Sequence, residues 1–270
     1  MMWTTLPRYK TANNIAYSRA GNGPTLLMIH GVGLRLESWA AQIQFLSKKF
    51  TVIAVDLPGH GESNNLRMKP SNLDSYVEQI KLFADEVIED SCIVIGHSLG
   101  ALIALSYADQ YEQECDGIIA LNCIYQRTDK AIRQVQLRSK KLATKEMNQE
   151  IEATIKRWFG TSPTGYYLEL ANICRQWLLE SNKEGYVEAY DIFAKQRGVS
   201  KEMLATNNLP IAFITGTLDS NSTSSMSREM AKLCPLGIAR EISGAGHLAQ
   251  MTHAEEVNEI IQSFALSIKN

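Results

Sequence analysis

Residues 92–105 read CIVIGHSLGALIAL, the most apolar stretch of the chain. From Cys92 to Ile95 every residue is apolar, as in a strand buried on both faces of a parallel sheet. From Leu99 to Tyr111 the pattern is that of an apolar helix. Between them lies Gly96-His97-Ser98-Leu99-Gly100, a G-x-S-x-G turn. A strand that bends sharply into a helix strains the central residue's backbone, and only glycine-sized neighbours fit beside it. The bend lifts the Ser98 hydroxyl above the sheet edge. It also aims a helix N-terminus at the site, where developing negative charge is favoured. Ser98 is the candidate nucleophile. The same polar interruptions make 92–105 a poor membrane span.

On either side, strand-like runs alternate with helical patterns, the signature of βαβ units. TLLMIH at 25–30 runs into HGVG, and TVIAVD at 51–56 runs into DLPGHG. Helical spacing covers 37–47 and 72–90. GIIALN at 117–122, IAFIT at 211–215 and AREI at 239–242 continue the strands, with helices over 224–234 and 253–268. Asn13–Ser18 is expected as one strand of an antiparallel hairpin ahead of the parallel part. The expectation is an α/β fold, a mostly parallel sheet of about eight strands flanked by helices. Residues 124–208 lack strand runs and carry many aromatics. They are expected to form a helical cap (lid) inserted into a core made of 1–123 and 209–270.

A serine nucleophile of this kind takes its acid and its histidine from loops after later strands, in that chain order. Asp219 follows 211–215 in GTLD, and His247 follows the last strand in GAGH. Among the rivals, His253 stands at a helix start, His97 neighbours the nucleophile, and His30 and His60 belong to earlier loops. Asp56 lies in an architectural turn. The position after 117–121, where an acid can also stand, holds Asn122, and Asn cannot stabilise an imidazolium as a carboxylate does. His30-Gly31-Val32-Gly33 turns the backbone toward the nucleophile, so the N–H groups of Val32 and Leu99 are the expected oxyanion donors. Expected substrate contacts are His30, Arg35, Trp158, Trp177, Tyr186 and Tyr190. Arg35 stands beside the oxyanion loop, where it or an arginine of the cap could meet a substrate carboxylate. The chemistry requires no metal and no organic cofactor.

Bulk composition agrees with an ordinary globular enzyme. The chain has 270 residues, 45% hydrophobic and 21% charged, with net charge −2. That balance carries no electrostatic footprint for nucleic acid. A mild basic cluster over 127–145 reads as a solvated helix face. Five cysteines without metal-type spacing read as free thiols and fit a cytoplasmic compartment. No signal-peptide core is visible. The expected partners are a small-molecule substrate and water, with neither nucleic acid nor membrane. Nothing in the sequence indicates an oligomeric state.

Taken together, HGVG, the D-x-x-G-H-G of 56–61, GHSLG, GTLD and GAGH resemble the α/β-hydrolase superfamily over nearly the whole chain. The stretch 30–63 and the segment 184–197 look like 3-oxoadipate enol-lactone hydrolases and similar small esterases. The resemblance implies a serine hydrolase acting on a small carboxylic ester or enol-lactone through an acyl-enzyme. Two alternatives stand beside it. One is C–C or C–N bond hydrolysis on the same triad, of meta-cleavage or aminoacrylate type. The other is a ligand receptor with little turnover. Leu34 and Arg35 stand where many C–C hydrolases have Pro and Gly, and the proline that usually follows the acid is missing after Asp219.

Overall fold

The computed structural model describes residues 3, 5–66, 71–144 and 147–268. Met1, Met2 and Thr4 of the N-terminus and Lys145 of the basic cluster lie outside them. Eight strands form one sheet: β1 (Tyr9–Lys10), β2 (Ala16–Ala20), β3 (Thr25–Ile29), β4 (Thr51–Val55), β5 (Cys92–His97), β6 (Cys115–Leu121), β7 (Ile211–Gly216) and β8 (Gly237–Ile242). Their order is β1-β2-β4-β3-β5-β6-β7-β8. The pairings β1/β2 and β2/β4 are antiparallel and the rest parallel.

The expected strand at 13–18 begins later, at Ala16. Asn14 has φ 59° and donates its N–H to Thr11 O at 2.8 Å, so a tight turn occupies the first half of that segment. Asn tolerates this left-handed conformation better than most side chains.

Alternation along the central strands sorts side chains to two faces. Leu27, Ile29, Val94, Ile118 and Phe213 pack toward α2 (Leu73–Val87), α3 (Leu99–Gln110) and α9 (Ser224–Leu233). Leu26, Met28, Ile95, Ile119 and Ile214 pack toward α1 (Ala40–Leu46) and α11 (Ala254–Ile268). Strands covered on both sides must be apolar throughout, which is why alternation is invisible in their sequence. α3 is apolar all round because it lies at the centre of the first layer. The helix expected over 253–268 is α11, and a short α10 (Ala249–Thr252) precedes it, with His253 between them.

Between β6 and β7 the chain forms α4 (Asp129–Leu142), α5 (Met147–Phe159), α6 (Gly165–Glu180), α7 (Lys183–Lys195) and α8 (Lys201–Thr206). Val135, Leu142, Ile151, Ile155, Leu170, Trp177 and Tyr186 join a third apolar cluster. Leu34 and Leu248 of the loops at the sheet edge and Met251 of α10 complete it, so these helices pack on the carboxyl ends of the strands. All five cysteines are buried. No helix among the described residues is long and apolar enough to cross a membrane.

Candidate active site

Ser98 sits on the bend between β5 and α3 with φ 56° and ψ −112°. A non-glycine residue there is strained, and the surroundings hold it in place. Its N–H donates to Leu121 O at 2.9 Å, and its carbonyl accepts from the N–H groups of Ala101 and Leu102. Both glycines of the turn are sterically required. A Cβ on Gly96 would lie 2.0 Å from Gly100 O, and one on Gly100 would lie 2.2 Å from Ile29 O.

The loops after β7 and β8 bring Asp219 and His247 to this bend. His247 Nδ1 lies 2.7 Å from Asp219 Oδ2, and His247 Nε2 lies 3.2 Å from Ser98 Oγ. With the proton on Nδ1, His247 donates to the carboxylate and Nε2 accepts from the Ser98 hydroxyl. All three residues are buried. Burial alone would raise the Asp219 carboxyl. The His247 ring, the Asn221 N–H at 2.8 Å and the Asn122 carboxamide outweigh it and hold the group at about 2.

Asn122 emerges as a participant that its residue type had excluded. Its Nδ2 donates to Asp219 Oδ2 at 2.7 Å, the same oxygen that receives His247. It is fully buried at φ 51°, with its own N–H on Ile214 O and its carbonyl accepting from Ser222 Oγ. The sequence signal was present, since Asn122 ends the strand after the nucleophile helix. A carboxamide there cannot serve as the acid, but it can donate to one.

Val32 and Ser98 line the cavity together with Gly31, and Leu99 begins α3 beneath Ser98. Among the described residues neither the Val32 nor the Leu99 N–H has an intramolecular acceptor. Two neutral histidines shape the Val32 loop. His30 Nε2 accepts from Leu57 N–H at 2.9 Å while its Nδ1–H donates to Gly31 O at 2.7 Å. His60 Nε2 accepts from Gly33 N–H at 3.0 Å, with its Nδ1–H directed at Pro58 O. His97 donates Nε2–H to His247 O at 2.7 Å and thereby holds the histidine loop.

The expected substrate contacts divide. Trp158 lines the cavity, nearly parallel to the His247 ring at 6.5 Å, and Tyr190 lines it as well. His30, Arg35, Trp177 and Tyr186 do not. His30 is spent on the backbone of its own loop. Arg35 turns away into an ion pair with Glu37 at 2.7 Å, because the 3-10 turn that starts at Leu36 places that carboxylate two residues on. Glu37 also pairs with Arg8, which reaches Asp56 at 2.8 Å. Trp177 is buried among the helices between β6 and β7. Tyr186 packs on Gly33, where a Cβ would lie 2.8 Å from its ring.

The reading of 127–145 as a solvated face holds for the exposed Lys130, Arg133, Lys140 and Lys141 and is corrected for two arginines. Arg127 and Arg138 line the cavity, joined by Arg157. Arg127 is buried, and burial pushes its guanidinium down to about 10. Burial also lowers Arg157. The missed signal is that Arg138 shares the helix face of Val135 and Leu142, both buried, at spacings of three and four.

Comparison with known proteins follows the same lines. A family described as alpha/beta hydrolase fold matches residues 24–171. The chain is 33% identical over 261 residues to an (E)-2-((N-methylformamido)methylene)succinate hydrolase of Acinetobacter baylyi, covering 92% of each chain. It superimposes on a thermophilic esterase from Thermogutta terrifontis with TM-score 0.86 and 22% identity, covering 98% of this chain and 100% of that one. For an enol-lactonase from Burkholderia xenovorans the TM-score is 0.83 at 22% identity, over 96% of this chain and 100% of the other. At such identity the structural likeness is one of fold.

Proposed function

Since this chain belongs to the alpha/beta hydrolase fold family and is a hydrolase, we propose that it cleaves a small carboxylic ester or enol-lactone by acyl transfer from Ser98 to water. One observation carries the reading: the unbroken hydrogen-bonded line from Ser98 Oγ through His247 to Asp219 Oδ2, opening on a cavity of about 50 Å³. In the first step Ser98 Oγ attacks the carbonyl carbon and His247 Nε2 takes its proton. Asp219 keeps the imidazole in the Nδ1–H tautomer and stabilises the cation that forms. The carbonyl oxygen becomes an oxyanion that receives the N–H groups of Val32 and Leu99. Collapse expels the leaving group, which takes the proton from His247 Nε2. A water then gives a proton to His247, attacks the acyl carbon and releases the acid, returning the proton to Ser98. Residues 124–208 serve in this reading as the cap that encloses the substrate, with Trp158 and Tyr190 on its inner face.

A second reading, hydrolysis of a C–N bond on the same relay, is favoured by the full-length relative. Its name places an N-methylformamido group on the substrate.

A neutral short-chain p-nitrophenyl ester tests the chemistry. Turnover should fall roughly 10³-fold or more in Ser98→Ala. An unchanged rate in that variant would remove the proposal. An enamide cleaved much faster than any ester or lactone would select the second reading.

A further inference from the structure

The buried Arg8 side chain is paired with carboxylates, Glu37 at 2.6 Å and Asp56 at 2.8 Å. The three arginines of the cavity are not. Among the described residues, Arg127, Arg138 and Arg157 have no carboxylate within 4.0 Å. Unpaired positive charges removed from water are costly unless a counter-charge arrives. Glu150 exerts only the smallest of the influences on Arg157.

The three differ in how they are held. Arg127 Nη1 donates to Phe193 O at 3.0 Å and Gln196 O at 3.4 Å, and its guanidinium lies 4.1 Å over the Phe193 ring. Arg157 Nη2 donates to Thr154 Oγ1 at 2.5 Å, and that hydroxyl in turn donates to Glu150 O. Each is fixed, and on a different element. Arg138 has no hydrogen bond to the protein among the described residues. Its charge depresses both Arg127 and Arg157, so it stands within electrostatic reach of both.

We propose that the cavity selects substrates carrying two carboxylates, with Arg127 and Arg157 as separate fixed seats and the unanchored Arg138 as a donor to either. The inference rests on the serine chemistry above only in taking the same cavity as its site. Three guanidiniums facing one carboxylate leave two charges uncompensated, whereas a dicarboxylate leaves one. Seats anchored on two elements suit two separate anionic groups better than one compact anion. Planar guanidinium forks match carboxylates in geometry as well as charge.

The test uses succinate, butyrate and inorganic phosphate as probes. Each is measured as a competitive inhibitor of p-nitrophenyl acetate hydrolysis by the full chain, and by calorimetric titration of Ser98→Ala. Succinate should bind at least tenfold more tightly than butyrate. Arg138→Gln, whose side chain makes no hydrogen bond that folding would miss, should reduce that preference to within about threefold. Arg157→Gln should do the same, and Arg157→Lys should restore part of it. Equal binding of succinate and butyrate would overturn the proposal, as would a preference unchanged in both Gln variants. Phosphate binding as tightly as succinate would replace two seats by one compact anion site. An ester rate unchanged in Ser98→Ala would strike the serine reading and leave the anion site standing, since calorimetry reads that site without catalysis.

Discussion

Ser98 pays for its position with a left-handed backbone, and the three hydrogen bonds around it over-determine that conformation. The same logic extends to Asp219. Its Oδ1 receives the Asn221 and Ser222 amides, and its Oδ2 receives His247 and Asn122. Four donors leave the carboxylate one orientation. Removing Asn122 frees it to turn, so Asn122→Gly should lower kcat about tenfold with KM little changed, from the usual strength of a hydrogen bond to a charged group. Glycine is the right probe because it accepts φ 51° without strain. A proportional rise in KM would mean that the side chain acts on substrate binding instead. Asp219→Asn should be more severe, on the order of 10⁴-fold in kcat, because an amide no longer favours the productive imidazole tautomer. A variant retaining more than a tenth of the activity would show that His247 is oriented by something else.

At the scale of elements, the approach of α3 to β3 depends on one missing methyl. Gly100→Ala would place a carbon 2.2 Å from Ile29 O and 2.6 Å from His30 O, both backbone atoms. Those atoms cannot step aside as a flexible side chain could. The variant should lose about 1–3 kcal/mol of stability, and turnover should fall with it as Ser98 and the Val32 loop separate. A helix remote from the chemistry should behave differently. α2 starts with a capping box between Asn72 and Ser75. Asn72→Ala should cost about 1 kcal/mol in urea unfolding and leave kcat unaltered. If kcat dropped with stability in this variant too, activity would be tracking global stability and the effect of Gly100→Ala would lose its local meaning.

For the whole molecule, three buried histidines couple the site to acid stability. His30 and His60 accept amide hydrogens that shape the Val32 loop, and His97 supports the His247 carbonyl. Burial holds all three neutral in the folded chain, His60 lowered to about 4, His97 to about 3 and His30 well below 6.5. The unfolded chain protonates them near pH 6.5, so below that pH it binds more protons than the native state. Their contribution is complete above about pH 6.5 and is lost as pH falls toward the folded values. With up to three protons in play the slope approaches about 4 kcal/mol per pH unit. Urea unfolding at pH 7.5, 6 and 5 should show the decline, and a flat stability over that range would refute the account.

Much of this was legible before folding. The central strands, the bend at Ser98 and the order of acid and histidine are written in local spacing. Runs apolar on both faces and glycines at a sharp turn have few structural solutions. The strand expected at 13–18 failed locally, through a left-handed Asn14 that the apolar pattern does not register. What came only with the assembled chain is which polar side chains face inward. Arg35 and Arg138 look alike as residues, yet one finds Glu37 two positions on and the other finds no carboxylate among the described residues. Trp158 and Trp177 sit on similar helices, yet only the first meets the cavity. A side chain's role here depends on charges and surfaces delivered by segments far away in sequence. Asn122 meets Asp219 across 97 residues, and no local pattern encodes that meeting.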